Sequence, residues 1–153
     1  MHGTLLALSL LISPAAGGWG HYDNARFGFS IDVPPGFVVQ GESANGDGNS
    51  FKTPTAELRA FAGNIADGDF ETKARGEQSA ITDEGFAITY QVTTPQAASF
   101  SGKHGARIVY GRLVAMCRDR FMGFVLEYSA ADIAKFKPVI DRLVASLKGP
   151  KSC

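Results

Sequence analysis

Phe27, Phe29, Ile31 and Val33 alternate with Gly28, Ser30 and Asp32, a period of two that predicts a strand with one buried face. Pro34-Pro35-Gly36 stops it, Phe37-Val38-Val39 reads as a second short strand, and residues 41–50 read as a polar loop. In residues 56–65, Leu58, Ala60 and Ala62 alternate with Glu57 and Arg59, which predicts another half-buried strand. Asp69 then stands where a helix N-cap belongs, with Glu71 in the first turn. A helix over residues 70–82 follows, weakened by Gly76 and closed by Gly85. Residues 86–92 return to period two, with Ile88, Tyr90 and Val92 on one face.

The densest apolar pair comes next. Residues 106–117 and 120–128 are separated by Arg118-Asp119 and predict a long antiparallel hairpin. Ile108, Tyr110, Val114 and Met116 fall on one face, Val109, Leu113 and Cys117 on the other. A strand apolar on both faces belongs in the middle of a sheet covered above and below. Tyr110 and Phe124 read as core aromatics. Gly111 and Gly123 interrupt the two strands at similar distances from the turn, and close packing against a helix is preferred to a bulge or groove there. Ser129 and Asp132 suggest a capping box, and Pro138 suits a first helical position. The terminal helix is therefore placed at residues 138–148, with Val139, Ile140, Leu143, Val144 and Leu147 as its apolar stripe. Residues 19–153 thus form one α+β domain: a central, mainly antiparallel sheet with helices packed on it, an α/β/α sandwich.

The start of the chain follows another pattern. An unbroken apolar run, residues 5–12, precedes Ser13-Pro14-Ala15-Ala16-Gly17-Gly18, the order of a secretory signal peptide. It is far shorter than the roughly 20 residues that span a bilayer. Only the amino terminus and His2 supply positive charge ahead of it. Residues 1–18 are expected to act as a signal peptide, cleaved after Ala15 or Gly18, and the mature protein to be periplasmic or secreted. The segment holds none of the 15 basic and 15 acidic side chains, so the mature chain stays neutral. Neutrality offers no clustered basic surface for nucleic acid and no strong pull toward anionic lipid, and no stable membrane insertion is expected.

The cysteines, Cys117 and Cys153, suit an oxidising compartment. Cys117 lies at the turn end of the hairpin. The returning strand carries the chain roughly 30 Å away, and a helix over residues 131–148 brings it roughly 27 Å back. The tail then reaches Cys117, provided its side chain faces the helix layer, and a Cys117–Cys153 disulfide is expected.

Other chemistry is thin, and neither a cofactor nor a metal site is expected. Asn45, Asp47 and Asn49 could offer oxygens to a cation, but the EF-hand pattern fails: counted from Asn45, its glycine and glutamate positions hold Ser50 and Ala56. Turn chemistry accounts for the same residues. Lys103 and His104 lie in a segment with Ser99 and Ser101, a nucleophile and base in principle. No Gly-x-Ser-x-Gly elbow and no orienting carboxylate accompany them. His21 is a weaker candidate still.

Three stretches occur in series: Tyr22-Asp23-Asn24-Ala25-Arg26-Phe27-Gly28-Phe29; Asn45-Gly46-Asp47-Gly48 ahead of Phe51; and Ser101-Gly102 leading to Arg107-Ile108-Val109-Tyr110. Their order and spacing, from about Tyr22 to Leu147, resemble a group of small exported bacterial proteins of uncharacterised function. The order of elements resembles the PsbP/Mog1-like fold, a central antiparallel sheet with helices on both faces. PsbP-like members act as extrinsic subunits of photosystem II, and Mog1 is a partner protein of a small GTPase. Neither brings catalytic residues, so the resemblance implies a binding or assembly role. The resulting expectation is an exported, non-enzymatic module of the cell envelope whose partner is a protein or another envelope component. The alternatives are a small hydrolase built on Ser99 and His104, and a small-ligand-binding domain with its pocket between the sheet and helix 70–82.

Overall fold

The computed structural model describes residues 18–153; the expected signal peptide lies outside the described residues apart from Gly18. Strands β1 (Gly20–Asp23) and β2 (Ser30–Val33) form a small antiparallel pair. A seven-stranded antiparallel sheet is built from β3 (Val38–Glu42), β4 (Gly48–Lys52), β5 (Glu57–Asn64), β6 (Ala87–Thr93), β7 (Ala97–His104), β8 (Arg107–Met116) and β9 (Arg120–Ser129). Its order is β3-β4-β5-β9-β8-β7-β6, which puts the long hairpin β8–β9 in the interior. Helix α1 (Phe70–Asp83) joins β5 to β6, and α2 (Ile133–Ser146) follows β9 through a 3₁₀ turn at Ala130–Asp132.

The two faces of the hairpin feed two cores. Phe29, Ile31, Leu58, Phe124, Leu126 and Leu143 belong to the larger, between the sheet and the layer made by α2 with β1–β2. Phe70, Ala74, Phe100, Leu113, Phe121 and Val125 belong to the smaller, under α1. One α+β domain with helices on both faces is the architecture the alternation predicted. The covers are offset. Buried side chains of β7, β8 and β9 meet α1, whereas β4, β5, β8 and β9 meet α2 and the β1–β2 pair, so the edge strands β3 and β6 stay exposed.

Helix α1 starts where the sequence placed it: the Asp69 carboxylate accepts the Thr72 N–H at 2.9 Å. The terminal helix differs. It begins at Ile133, with Pro138 as its sixth residue rather than its first. Pro138 is exposed and early in the helix, so its ring faces solvent and only the bond to the exposed Ala134 carbonyl is forfeited. Ser129 caps the 3₁₀ turn through Ala131 N–H, and Asp132 makes no capping bond, so the capping box does not form.

Other departures have local causes. The strand expected from Phe27 begins at Ser30, because Asn24 and the residues after it close a turn with Gly28 N–H on the Asn24 carbonyl. Phe27, Phe29, Ile31 and Val33 are nonetheless all buried. The polar stretch 41–50 contains the end of β3 and the start of β4. The segment holding Ser99 and His104 is not a loop but β7. In β6 a register shift between Ile88 and Tyr90 breaks the expected stripe: Ile88 packs under α1, while Tyr90 and Val92 are exposed. Gly111 pairs with Val125 and Gly123 with Leu113 in an unbroken register, so neither marks a bulge. What lies across Gly111 is the Phe100 ring of the neighbouring strand rather than a helix, and a Cβ there would overlap it.

Cys117 shows the most consequential departure. Strict alternation sends its side chain toward the Val109 and Leu113 face. At φ 55° it is, among the described residues, the one non-glycine in the left-handed region, and it packs against the α2-side core instead. From there it bonds Cys153, with the Cα atoms 5.7 Å apart.

Candidate functional site

A recess of about 510 Å³ lies beside α1 over the part of the sheet that the helix leaves open. Asn45, Asp47 and Asn49 form one wall, Arg59 and Phe61 of β5 the floor, and Glu77 of α1 the far side. The floor is shallow because Gly48 sits opposite Phe61; a Cβ on Gly48 would overlap the Ala60 carbonyl.

The wall is fixed from behind. Arg26 Nη1 donates to Asp47 Oδ1 and to the Asn45 carbonyl, each at 2.7 Å. Asn45 Nδ2 donates to the other Asp47 oxygen at 2.9 Å. Asn49 Oδ1 accepts the N–H groups of Gly41 and Ser50. The side-chain oxygens that could serve a cation therefore already accept bonds from within the protein. Among the described residues no cluster of three His, Cys, Asp or Glu side chains is arranged to hold a metal ion.

Asn24 anchors the same wall to the core. It is 2% exposed; its Nδ2 donates to the Gly46 carbonyl and the Tyr22 hydroxyl, and its Oδ1 accepts Phe27 N–H. Tyr22 passes the bond on to Glu42 Oε1 at 2.8 Å. Burial, reinforced by Glu42, pushes the Tyr22 phenol up to about 12, while the bond from Asn24 pulls the other way. A buried polar chain with every member bonded is rigid, so the groove wall is pre-formed.

Arg59 supplies the charge. Of the acidic side chains around it, Glu57 pairs with Lys52, Glu77 with Lys73 and Glu127 with Arg107, while Glu84 lines the adjoining cleft with Arg59 and makes no ion pair among the described residues. Among the described residues Arg59 makes no ion pair. Arg59 and Phe61 are both half-buried and two positions apart on β5, and an arginine there suits a carboxylate or another planar acceptor.

The other sequence candidates do not join this groove. Ser99 and His104 lie on opposite faces of β7, five positions and about 16 Å apart along the strand. The Ser99 hydroxyl accepts from Arg112 at 2.8 Å, and the His104 ring stands edge-on to Phe86 over Gly85. Alternation and distance together separate the proposed nucleophile from its base. Lys103 is exposed near the end of the same strand. His21 bridges Asp32 at 3.0 Å and Asp23 at 3.2 Å from its two ring nitrogens, on opposite sides of the ring. The bond to Asp32 raises its pKa most; desolvation opposes it as the next-largest influence, and the two carboxylate charges with the bond to Asp23 leave the pKa raised overall. Arg59, Phe61 and Glu77 were not singled out from sequence; the available signal was the charged alternate face of strand 56–65.

Comparison with solved structures finds this chain similar to the cyanobacterial PsbP protein CyanoP from Synechocystis sp. PCC 6803, in its solution structure. The TM-score is 0.63 at 12% identity, over 96% of this chain and 98% of that one. At that identity the likeness establishes a PsbP-like fold. No family model matches the sequence, and no curated protein matches it.

Proposed function

We propose that this chain is an exported, non-enzymatic binding or assembly module of the cell envelope, with the groove beside α1 as its recognition site for a protein or another envelope component. The observation that carries this reading is Arg59: a half-buried cation without an ion pair among the described residues, on a floor flanked by a pre-formed wall of Asn45, Asp47 and Asn49. Such a groove orients an incoming acidic or amide-bearing segment without itself rearranging. Export is supported by the signal-peptide pattern of residues 1–18 and by the Cys117–Cys153 bond, since disulfides persist in oxidising compartments. Among the described residues no helix is long and apolar enough to cross a membrane. A small polar ligand is the second reading, favoured by a groove volume within the usual range for small-molecule sites.

The test is cross-linking capture from native envelope with wild type and Arg59→Glu, folding being checked by circular dichroism. A partner captured by wild type and lost with Arg59→Glu supports the module. An unchanged capture set removes the groove from the proposal, and a ligand that copurifies with wild type and binds in the groove favours the second reading. Amino-terminal sequencing of fractionated cells tests export separately: an intact Met1 on a cytoplasmic species overturns it.

A further inference from the structure

Strand β6 is an edge of the large sheet, and residues 85–102 contain no Asp, Glu, Lys or Arg. An open edge presents unpaired N–H and C=O groups, and folded proteins usually blunt it with charge, proline or a bulge. The opposite edge, β3, is blunted: its register breaks between Val39 and Gly41, Gly41 has φ +114°, and Glu42 ends it. In β6 the irregularity is confined to Thr89, and residues 90–93 pair regularly with residues 98–101.

The phase of that ladder is fixed by the hydrogen bond from Thr94 N–H to the Ala97 carbonyl, 2.8 Å. Counting back from it, Val92 and Tyr90 direct their backbone groups to β7, while Gln91 and Thr93 direct theirs outward. Tyr90 and Val92 are 52% and 49% exposed, on the sheet face that carries Ser99 and Ser101.

We propose that β6 is the contact between two copies of this chain, paired antiparallel about a two-fold axis through Gln91. The segment Thr89-Tyr90-Gln91-Val92-Thr93 reads alike by residue type in both directions. With Gln91 opposite Gln91 of the second copy, their outward N–H and C=O groups bond reciprocally. Tyr90 of each copy then faces Val92 of the other, an aromatic and β-branched pair of the kind that stabilises antiparallel sheets, and the regular pairing ends where the irregularity at Thr89 begins. A symmetric pairing sets any charge near the axis against its own copy or a neighbour of it. The absence of charge along this edge removes that repulsion. The contact lies on β6, away from the residues that line the groove beside α1, so either proposal can fail without the other.

The test is sedimentation velocity on the processed, disulfide-bonded protein across micromolar concentrations. Wild type is expected to reach a dimer. Gln91→Pro removes an outward N–H while leaving the bonds to β7, and Tyr90→Lys puts a cation against Val92; both should be monomeric with unfolding temperatures close to wild type. Gln91→Cys should cross-link to itself under mild oxidation, because directly opposed partners lie about 5.5 Å apart at Cα, within disulfide reach. Gln40→Cys on the blunted edge should not. Should Gln91→Pro fail to fold, the cysteine pair decides. A wild type monomeric throughout, a dimer that survives both substitutions, or equal cross-linking at Gln40→Cys overturns the proposal. Capture of β6 by an extended segment of a different protein in place of the second copy does so too.

Discussion

Replacing Cys153 by Ser opens a cross-link between residues 36 apart in sequence. The folded chain loses little by it. Ser30 and Lys148 exchange both backbone hydrogen bonds, at 2.8 and 2.9 Å, which hold the tail on β2. Pro150 packs beside Gly28, and residues 151–153 are exposed even with the disulfide formed. The effect therefore falls on the unfolded state, which regains the entropy of an open loop. For a loop of this length the chain-entropy relation gives about 4 kcal/mol at 25 °C. In a domain of this size that corresponds to a fall in Tm of roughly 12–16 °C. Scanning calorimetry on oxidised wild type, Cys153→Ser and Cys117→Ser measures it directly. Both variants should lose the same amount to within about 1 kcal/mol, since both open the same loop. Losses below about 1 kcal/mol in both would refute the reasoning, and a large loss confined to Cys117→Ser would move its origin into native packing at the turn.

Leu143→Ala, at a position with no exposed surface, should cost about 2–5 kcal/mol in urea unfolding, whereas Lys137→Ala on the outer face of α2 should stay within about 0.5 kcal/mol. Gly111→Ala should cost about 1–3 kcal/mol by forcing the Phe100 ring aside; adding Phe100→Leu should recover part of it, and strict additivity of the two losses would contradict the contact. The His21 contribution has a pH window. Its pKa is raised above 6.5, chiefly by the bond to Asp32, so its stabilisation is complete below 6.5 and lost as pH rises through the raised value. Asp32 is lowered below 3.8, chiefly by the bond from His21 and then by Arg142, so its share holds above 3.8 and fails on acidification. The stability difference between wild type and His21→Gln should be widest near about pH 5 and narrow by about pH 9; an equal difference at both would exclude the interaction.

Hydrophobic alternation located the sheet because each strand buries one face or both, and that requirement is local. Leu58, Ala60 and Ala62 announce β5, and the doubly apolar hairpin announces its own central place. β4 and β7 were hidden for opposite reasons. Gly48, Asn49 and Ser50 in β4 are ladder positions without an apolar side chain, and at Gly48 the close Ala60 backbone leaves no room for one. In β7 the small residues Ala98, Ser99 and Gly102 leave room for larger neighbours, such as Val109 beside Gly102, so the strand reads as loop composition. The groove was legible in halves: the wall through Asn45, Asp47 and Asn49, and the helix through its cap. Arg59 stayed unremarked, because no local pattern reveals that Glu57, Glu77 and Glu127 each bond a different cation. Asn24 was quoted within a motif with no role attached, since a buried amide that ties a hairpin to a distant turn leaves no period to read.

Cys117 carries a cost that makes sense only when it is bonded. A non-glycine residue in the left-handed region forfeits about 1–2 kcal/mol against the right-handed alternative, and a glycine at φ 55° would not. The left-handed turn is also what swings the thiol from the α1 side of β8 to the α2 side, where the tail arrives. Closing the loop contributes about 4 kcal/mol, so the strain is outweighed in the oxidised protein and uncompensated in the reduced one. The prediction is a reversal of sign at one position. In the oxidised wild type, Cys117→Gly should destabilise by about 2–4 kcal/mol, because the loss of closure exceeds the relief of strain. In the Cys153→Ser background the closure term is already gone. Cys117→Gly should then stabilise by up to about 1 kcal/mol, the strain relief less the extra unfolded-state freedom of glycine. Calorimetry of the four proteins decides it: if Cys117→Gly destabilises equally in both backgrounds, the turn is not strained and the link between its geometry and an oxidising compartment falls.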